Sequence, residues 1–184
     1  MIDQVVSWID TSCDREFLSA VVASGYRFFY RGIDDATTAA QVHSETPDLL
    51  LSSTYDNDPK ALAFFQELER TMIRKDCPVR PSTGHLATSS RHEAARWGQT
   101  ASIWPIQGAH YAWFSDTQLF YPRRTNTEED AYLICNGRNC GTDSLDDALL
   151  AENAEVLFSA QPFLAVPASL DRSLQEALQR AFLL

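Results

Sequence analysis

The chain is short of the residues that several function classes require. Lysine and arginine together number 15 against 25 aspartates and glutamates, a formal net charge of −10. A broad nucleic-acid surface rests on clustered basic residues, so any anionic ligand is expected to be held by a few placed arginines working against the global field. Glycine is scarce, with seven residues. None of them build the glycine-rich turn of a dinucleotide-binding βαβ unit, and a Rossmann cofactor site is not expected. The four cysteines, Cys13, Cys77, Cys135 and Cys140, lie too far apart for a two-by-two zinc framework. Cys135 and Cys140 flank a glycine-containing turn that could close a local disulfide, although reduced thiols are expected of an intracellular chain. His43, His85, His92 and His110 show no ligand spacing, so no metal is expected, and each is read as a satisfied or solvated histidine. No eighteen apolar residues run together, and Met1-Ile2-Asp3-Gln4-Val5-Val6 lacks the basic and apolar regions of a signal peptide. The expectation is a soluble, cytoplasmic protein with no membrane partner, or one delivered to a target-cell cytoplasm without a cleavable signal.

What is present supports one folded unit. With 184 residues and 45% hydrophobic composition, the chain is long enough for one buried core and short for two, so residues 1–184 are read as a single domain. Asp14 to Ala23 carries a helical stripe, Phe17, Leu18, Val21 and Val22, with Gly25 as its stop. A strand follows through Tyr26 to Arg31, then a long polar connection from Asp34 to Asn57 with room for one short helix. Asp58 and Pro59 cap and open the clearest helix, which must end before Cys77-Pro78. His85 to Ser90 reads as a strand rich in small and hydroxyl residues, and Arg91 to Gly98 as a helix capped by Ser90 with Glu93 in the capping-box position. Ala101 to Ile106 and His110 to Phe114 flank Gln107-Gly108 like a hairpin. Further strands are expected at Gln118 to Tyr121, Tyr132 to Cys135, Val156 to Phe158 and Phe163 to Val166. Helices are expected at Ser144 to Ala151 and Ser169 to Phe182. Short strands clustered after early helices indicate an α+β domain with a mostly antiparallel core.

Three motifs carry chemistry. The segment Glu152-Asn153-Ala154-Glu155-Val156-Leu157-Phe158 runs a carboxylate into an apolar strand, and strand alternation would set Asn153 and Glu155 on one face. Arg31 closes the aromatic run Tyr26-Arg27-Phe28-Phe29-Tyr30-Arg31-Gly32. Between them lies His85-Leu86-Ala87-Thr88-Ser89-Ser90. Taken singly, Glu155 is a glutamate entering an edge strand, Arg31 an arginine paired with Asp34 or Asp35, and the serines a capping run.

In this order, an arginine, a Ser/Thr strand and a late Asn-x-Glu resemble the pattern of the arginine-serine-glutamate ADP-ribosyltransferases, among them the toxin-like mono-ADP-ribosyltransferases. The resemblance spans about Tyr26 to Val166 but rests on few positions. It implies a split β-sandwich of two small, mostly antiparallel sheets with flanking helices and a cleft for NAD⁺, the co-substrate. It implies that Glu155 holds the ribose and steadies the positive charge that develops as nicotinamide departs. Arg31 would grip the NAD⁺ phosphates or the nicotinamide-side ribose, with Gly32 letting backbone and ligand approach. Thr88 and Ser89 would position the site, in the register Ala87-Thr88-Ser89 or Thr88-Ser89-Ser90; in the first, Ser89 does the holding and Thr88 packs the opposite face. Asn153 stands where the family has Glu or Gln, and as an amide it cannot be a general base. Tyr111 is the candidate aromatic surface for nicotinamide or adenine, taken from the region holding Trp97, Trp104 and Trp113. The implied activity is transfer of ADP-ribose to a macromolecule, a protein in preference to RNA. The implied setting is a toxin, effector or phage-related protein that an antitoxin or immunity partner would oppose. With water as acceptor, the same site would be an NAD⁺ glycohydrolase. Asn153 and Ala87 favour a catalytically silent binding module of the same fold.

Overall fold

The computed structural model describes residues 1–33, 39–44, 50, 58–115, 140–141, 144–159 and 162–182. Their elements run α1 (Ile2–Ser12), α2 (Arg15–Ala23), β1 (Tyr30–Ile33), β2 (Gln41–His43), α3 (Pro59–Arg74), β3 (His85–Thr88), α4 (Arg91–Ala94) and β4 (Gln99–Pro105). They continue with β5 (Tyr111–Phe114), β6 (Cys140–Gly141), α5 (Leu145–Leu150), β7 (Glu155–Phe158), β8 (Phe163–Pro167) and α6 (Asp171–Phe182). Single 3₁₀ turns follow α4 at Ala95–Trp97 and precede α6 at Ala168–Leu170. The protein is α+β, as the element pattern predicts.

Local chemistry accounts for several boundaries. Asp58 accepts from the Lys60 and Ala61 amides at 3.1 Å each, and Pro59 occupies the first turn of α3. Phe64, Phe65, Leu68 and Met72 of that helix are buried, each contributing about 1.5–3 kcal/mol of hydrophobic stabilisation. Ser90 caps α4 by accepting from the Glu93 amide at 3.3 Å. At the end of α2, Gly25 (φ 75°) and Tyr26 (φ 63°) both turn left-handed, and their amides return to the Val22 and Val21 carbonyls. That helix stop consumes the first residues of the aromatic run. The strand therefore begins at Tyr30 and not at Tyr26.

The strands form one open antiparallel sheet in the order β2-β8-β4-β1-β3-β7-β5-β6. Its two halves are joined by very little. β1 pairs with β4 over four residues and β3 with β7 over four, whereas β1 meets β3 through the single pair Tyr30↔Thr88. The hydrophobic interior is correspondingly double. One core gathers residues of α1, α2, α5 and α6 with both half-sheets, including Phe17, Phe29, Trp104, Phe158 and Phe163. The other packs α3 onto Leu86, Ala112, Phe114 and Leu157.

Two expectations change. β4 and β5 do not form a hairpin, because β4 pairs with β1 and β8 while β5 pairs with β6 and β7. Gln107-Gly108 instead carries the chain from one half-sheet to the other. Asp14, the α2 cap, holds it there by accepting from both the Phe17 and Gly108 amides. The segment Ile2–Ser12 is helix α1, packed on α6. The connection after β1 contributes the short strand β2. The expected strands Gln118 to Tyr121 and Tyr132 to Cys135, the Cys135–Cys140 pairing and most of the connection from Asp34 to Asn57 lie outside the described residues.

Candidate functional site

β3 is the strand on which the candidate residues gather. Its last residue, Thr88, lies opposite Tyr30 of β1 and opposite Glu155 of β7. Directly opposed residues in an antiparallel pair share a face, so Thr88 and Glu155 project together on the side where Leu86, Leu157 and Phe114 meet α3. Glu155 is 5% exposed. Thr88 Oγ1 donates to the Ala154 carbonyl at 2.9 Å. Ser89 Oγ donates to the Ala151 carbonyl at 2.8 Å and accepts from the Ala154 amide at 2.9 Å, while its own amide donates to the Ala154 carbonyl. The two hydroxyls thus clamp the turn that delivers Glu155 as the first residue of β7. Each such bond contributes about 1 kcal/mol net, and together they fix where the carboxylate begins.

Arg31 reaches β3 across the junction of the half-sheets. Its Nη1 donates to the Leu86 carbonyl at 2.8 Å, two residues before Thr88. Beside it, His85 is buried between Phe158 and Phe163, each ring centroid 5.0 Å away. Burial first, then the charges of Arg31 and His43, hold His85 neutral down to about pH 3. It is buried, not solvated, and its Nε2 has no partner among the described residues.

Arg31, Thr88, Ser89 and Glu155 are all tied to the stretch from Leu86 to Ser89, but Arg31 follows Tyr30, the partner of Thr88, and by strand alternation falls on the His85 side of that pairing, the reverse of Glu155. The remaining candidates stand elsewhere. Asn153 is exposed in the turn before β7; the strand starts at Glu155, so alternation does not align the two side chains. Tyr111 lies opposite Phe158, on the reverse face of the sheet from Glu155. It is buried against Phe17, ring centroids 6.0 Å apart, and burial with Asp14 nearby pushes its hydroxyl well above the usual range. It belongs to the core and offers no ring beside Glu155. Gly32 makes room for protein and not for ligand, because a Cβ there would overlap the Trp97 backbone. Thr88, and not Ser89, shares the face of Glu155.

A second cluster surrounds a groove of about 520 Å³ on which Tyr26, Arg27, Tyr30, Ser89, Arg91, Glu152, Asp171 and Gln175 open. Tyr30 Oη donates to Asp171 Oδ2 at 3.1 Å, and Arg91 Nη1 lies 3.7 Å from the same oxygen. Burial raises the Asp171 carboxyl to about 6, against the lowering effect of the Tyr30 hydroxyl and then of Arg91. Burial, followed by the Asp171 charge, likewise raises the Tyr30 hydroxyl.

No protein-family model, curated protein or solved structure matches the chain. The site is therefore read from its own residues. Among the described residues, no group of three or more His, Cys, Asp or Glu could hold a metal ion, and no helix is long and apolar enough to cross a membrane. Sequence reasoning passed over Arg91 and Asp171, taking one as the start of a capped helix and the other as part of an amphipathic one. Only the aromatic run around Tyr30 signalled this groove.

Proposed function

We propose that the protein is an NAD⁺-cleaving mono-ADP-ribosyltransferase, with Glu155 as the carboxylate that steadies the ribose cation and Arg31 as the arginine that grips NAD⁺. The observation that carries this reading is the clamp on β3. Two hydroxyl residues pin the turn that introduces Glu155, and the guanidinium of Arg31 is anchored on the same strand. The single-pair junction of β1 and β3 is read as the split of the sandwich, with the NAD⁺ cleft beside it.

In this reading the bond between nicotinamide and ribose C1′ breaks with its electron pair leaving on the nicotinamide nitrogen, which departs neutral. The sugar is left cationic. A fixed carboxylate close to that cation lowers the barrier because it is already oriented when the charge appears. An acceptor nucleophile then bonds to C1′ and loses its proton to solvent water. Asn153, exposed at the turn, can orient an acceptor through its amide but cannot remove that proton. A protein acceptor suits the acidic chain better than a long nucleic acid. A toxin, effector or phage-related protein, with an immunity partner, is the setting this activity fits.

The near-complete burial of Glu155 favours a second reading, a silent module that retains the site's framework without turnover. Incubation of the purified chain with labelled NAD⁺, with and without cell lysate, separates the readings. Release of nicotinamide with label in protein supports transfer to protein, label in RNA names that acceptor, and free ADP-ribose alone indicates hydrolysis. No nicotinamide release under any condition leaves the silent module.

A further inference from the structure

We propose that the groove beside Ser89 is a binding site for a nucleoside monophosphate unit, with its base against Tyr26 and Tyr30 and its phosphate between Arg27 and Arg91. Neither Arg31 nor Glu155 lines this groove, although Ser89, which holds the turn before Glu155, does; the groove therefore adjoins the site assigned to NAD⁺ cleavage but does not rest on that assignment.

The volume, about 520 Å³, falls within the range of small-ligand sites. The rings are partly buried: Tyr26 and Tyr30 pack one side against the first core while keeping some surface open. Phe28 braces Tyr30 edge-on at 6.5 Å. Tyr30 is held further by its bond to Asp171, so a base would meet a ring already fixed in place. Rings of this kind accept any heterocycle by stacking.

The cations on either side have donors to spare. Among the described residues, Arg27 gives one bond of 3.4 Å, to the Leu150 carbonyl, and Arg91 makes one contact of 3.7 Å, to Asp171. A guanidinium carries five N–H donors in a planar fork matched to phosphate oxygens. Asp171 holds Arg91 toward the groove from the first turn of α6. Glu152 at the rim and Asp171 within offset the two arginines, so the lining has no excess positive charge. That balance, in a chain of net charge −10, fits a single phosphate and disfavours a polyphosphate or a long nucleic-acid backbone. The carboxylates also supply acceptors for ribose hydroxyls or an exocyclic amine.

Isothermal titration of the whole chain with adenosine 5′-monophosphate tests the proposal. Saturable binding at one site with submillimolar affinity is expected, at least tenfold tighter than adenosine or inorganic phosphate. Arg27→Gln and Arg91→Gln each weaken it about tenfold; both side chains are exposed, and circular dichroism checks that the fold is retained. A short 5′-phosphorylated RNA identifies the source of the unit: tighter binding than the free nucleotide indicates a nucleic-acid end, weaker binding a free metabolite. The proposal is overturned by absence of saturable binding, by inorganic phosphate binding as tightly as the nucleotide, or by indifference to both arginine substitutions. No NAD⁺ enters the assay and nicotinamide release is not its readout, so failure here and failure of the transferase reading are distinguishable.

Discussion

Replacing Asp171 with asparagine removes a carboxyl that burial lifts from an ordinary 3.8 to about 6. The side chain is 15% exposed, so solvent screens it little. Below about pH 3 the carboxyl is protonated in both the folded and the unfolded chain and costs nothing. As pH rises, the unfolded chain releases the proton first, and the folded state loses stability relative to it. Above about 6 the folded chain also ionises and the loss levels off at about 3 kcal/mol, from 1.36 kcal/mol for each pH unit between the two values. Asparagine keeps the shape, can accept the Tyr30 hydroxyl and does not titrate. It gives up the 3.7 Å contact to Arg91, whose side chain is 59% exposed; such a pair contributes under about 1 kcal/mol. Asp171→Asn is therefore close to neutral at pH 3 and about 2–3 kcal/mol stabilising at pH 7.5. For a chain of this size that is a rise of about 5–10 °C in Tm. Urea unfolding of both proteins from pH 3 to pH 8 reads the difference, and subtraction cancels the titration of every other group. A difference that stays flat across this range, or one that increasingly favours the wild type as pH rises, refutes the reasoning.

Four further outcomes are expected. Glu155→Gln abolishes nicotinamide release with the circular dichroism spectrum unchanged; equal turnover in that variant removes Glu155 from the chemistry. Arg31→Ala raises the NAD⁺ concentration needed for half-maximal rate by tenfold or more, and an unchanged value in steady-state kinetics dismisses its grip on the substrate. Ser89→Ala frees the turn before β7 and lowers stability by about 2 kcal/mol in urea unfolding; it also lowers kcat more than it changes KM, because the carboxylate is mispositioned. Gly32→Ala forces a methyl group into the Trp97 backbone and destabilises by about 2–3 kcal/mol, visible as a lower denaturation midpoint.

Much of the fold was legible where the chemistry is local. Asp58-Pro59 marked the start of α3, Ser90 with Glu93 marked α4, and the spacing of Leu174 and Leu178 marked α6. Helix α1 also has apolar residues at helical spacing, Val5 and Ile9, both buried. It has no side-chain cap bond at Met1, however, so no local signal marks where it starts. The false hairpin at Gln107-Gly108 had the right turn residues. Its partner, Asp14, lies far away in the chain and cannot be seen from the turn. The candidate site was legible in composition and order but not in facing. Whether Thr88 or Ser89 joins Glu155 depends on the register of β3 against β7, and a slip of one residue reverses every face. The groove was the least legible part, since Tyr30, Arg91 and Asp171 come from three distant segments with no shared motif.

The lone rung between Tyr30 and Thr88 gives the sheet an unusual mechanical character. Neighbouring ladders hold by four pairs between β3 and β7 and five between β4 and β8, so a load applied across the middle tears the backbone there first. Sheets commonly fray from their outer strands, whereas this one has its weakest lacing at the centre. Whatever reinforces that line, a bound molecule included, would raise the force needed to pull the protein apart more than any gain made at its rim.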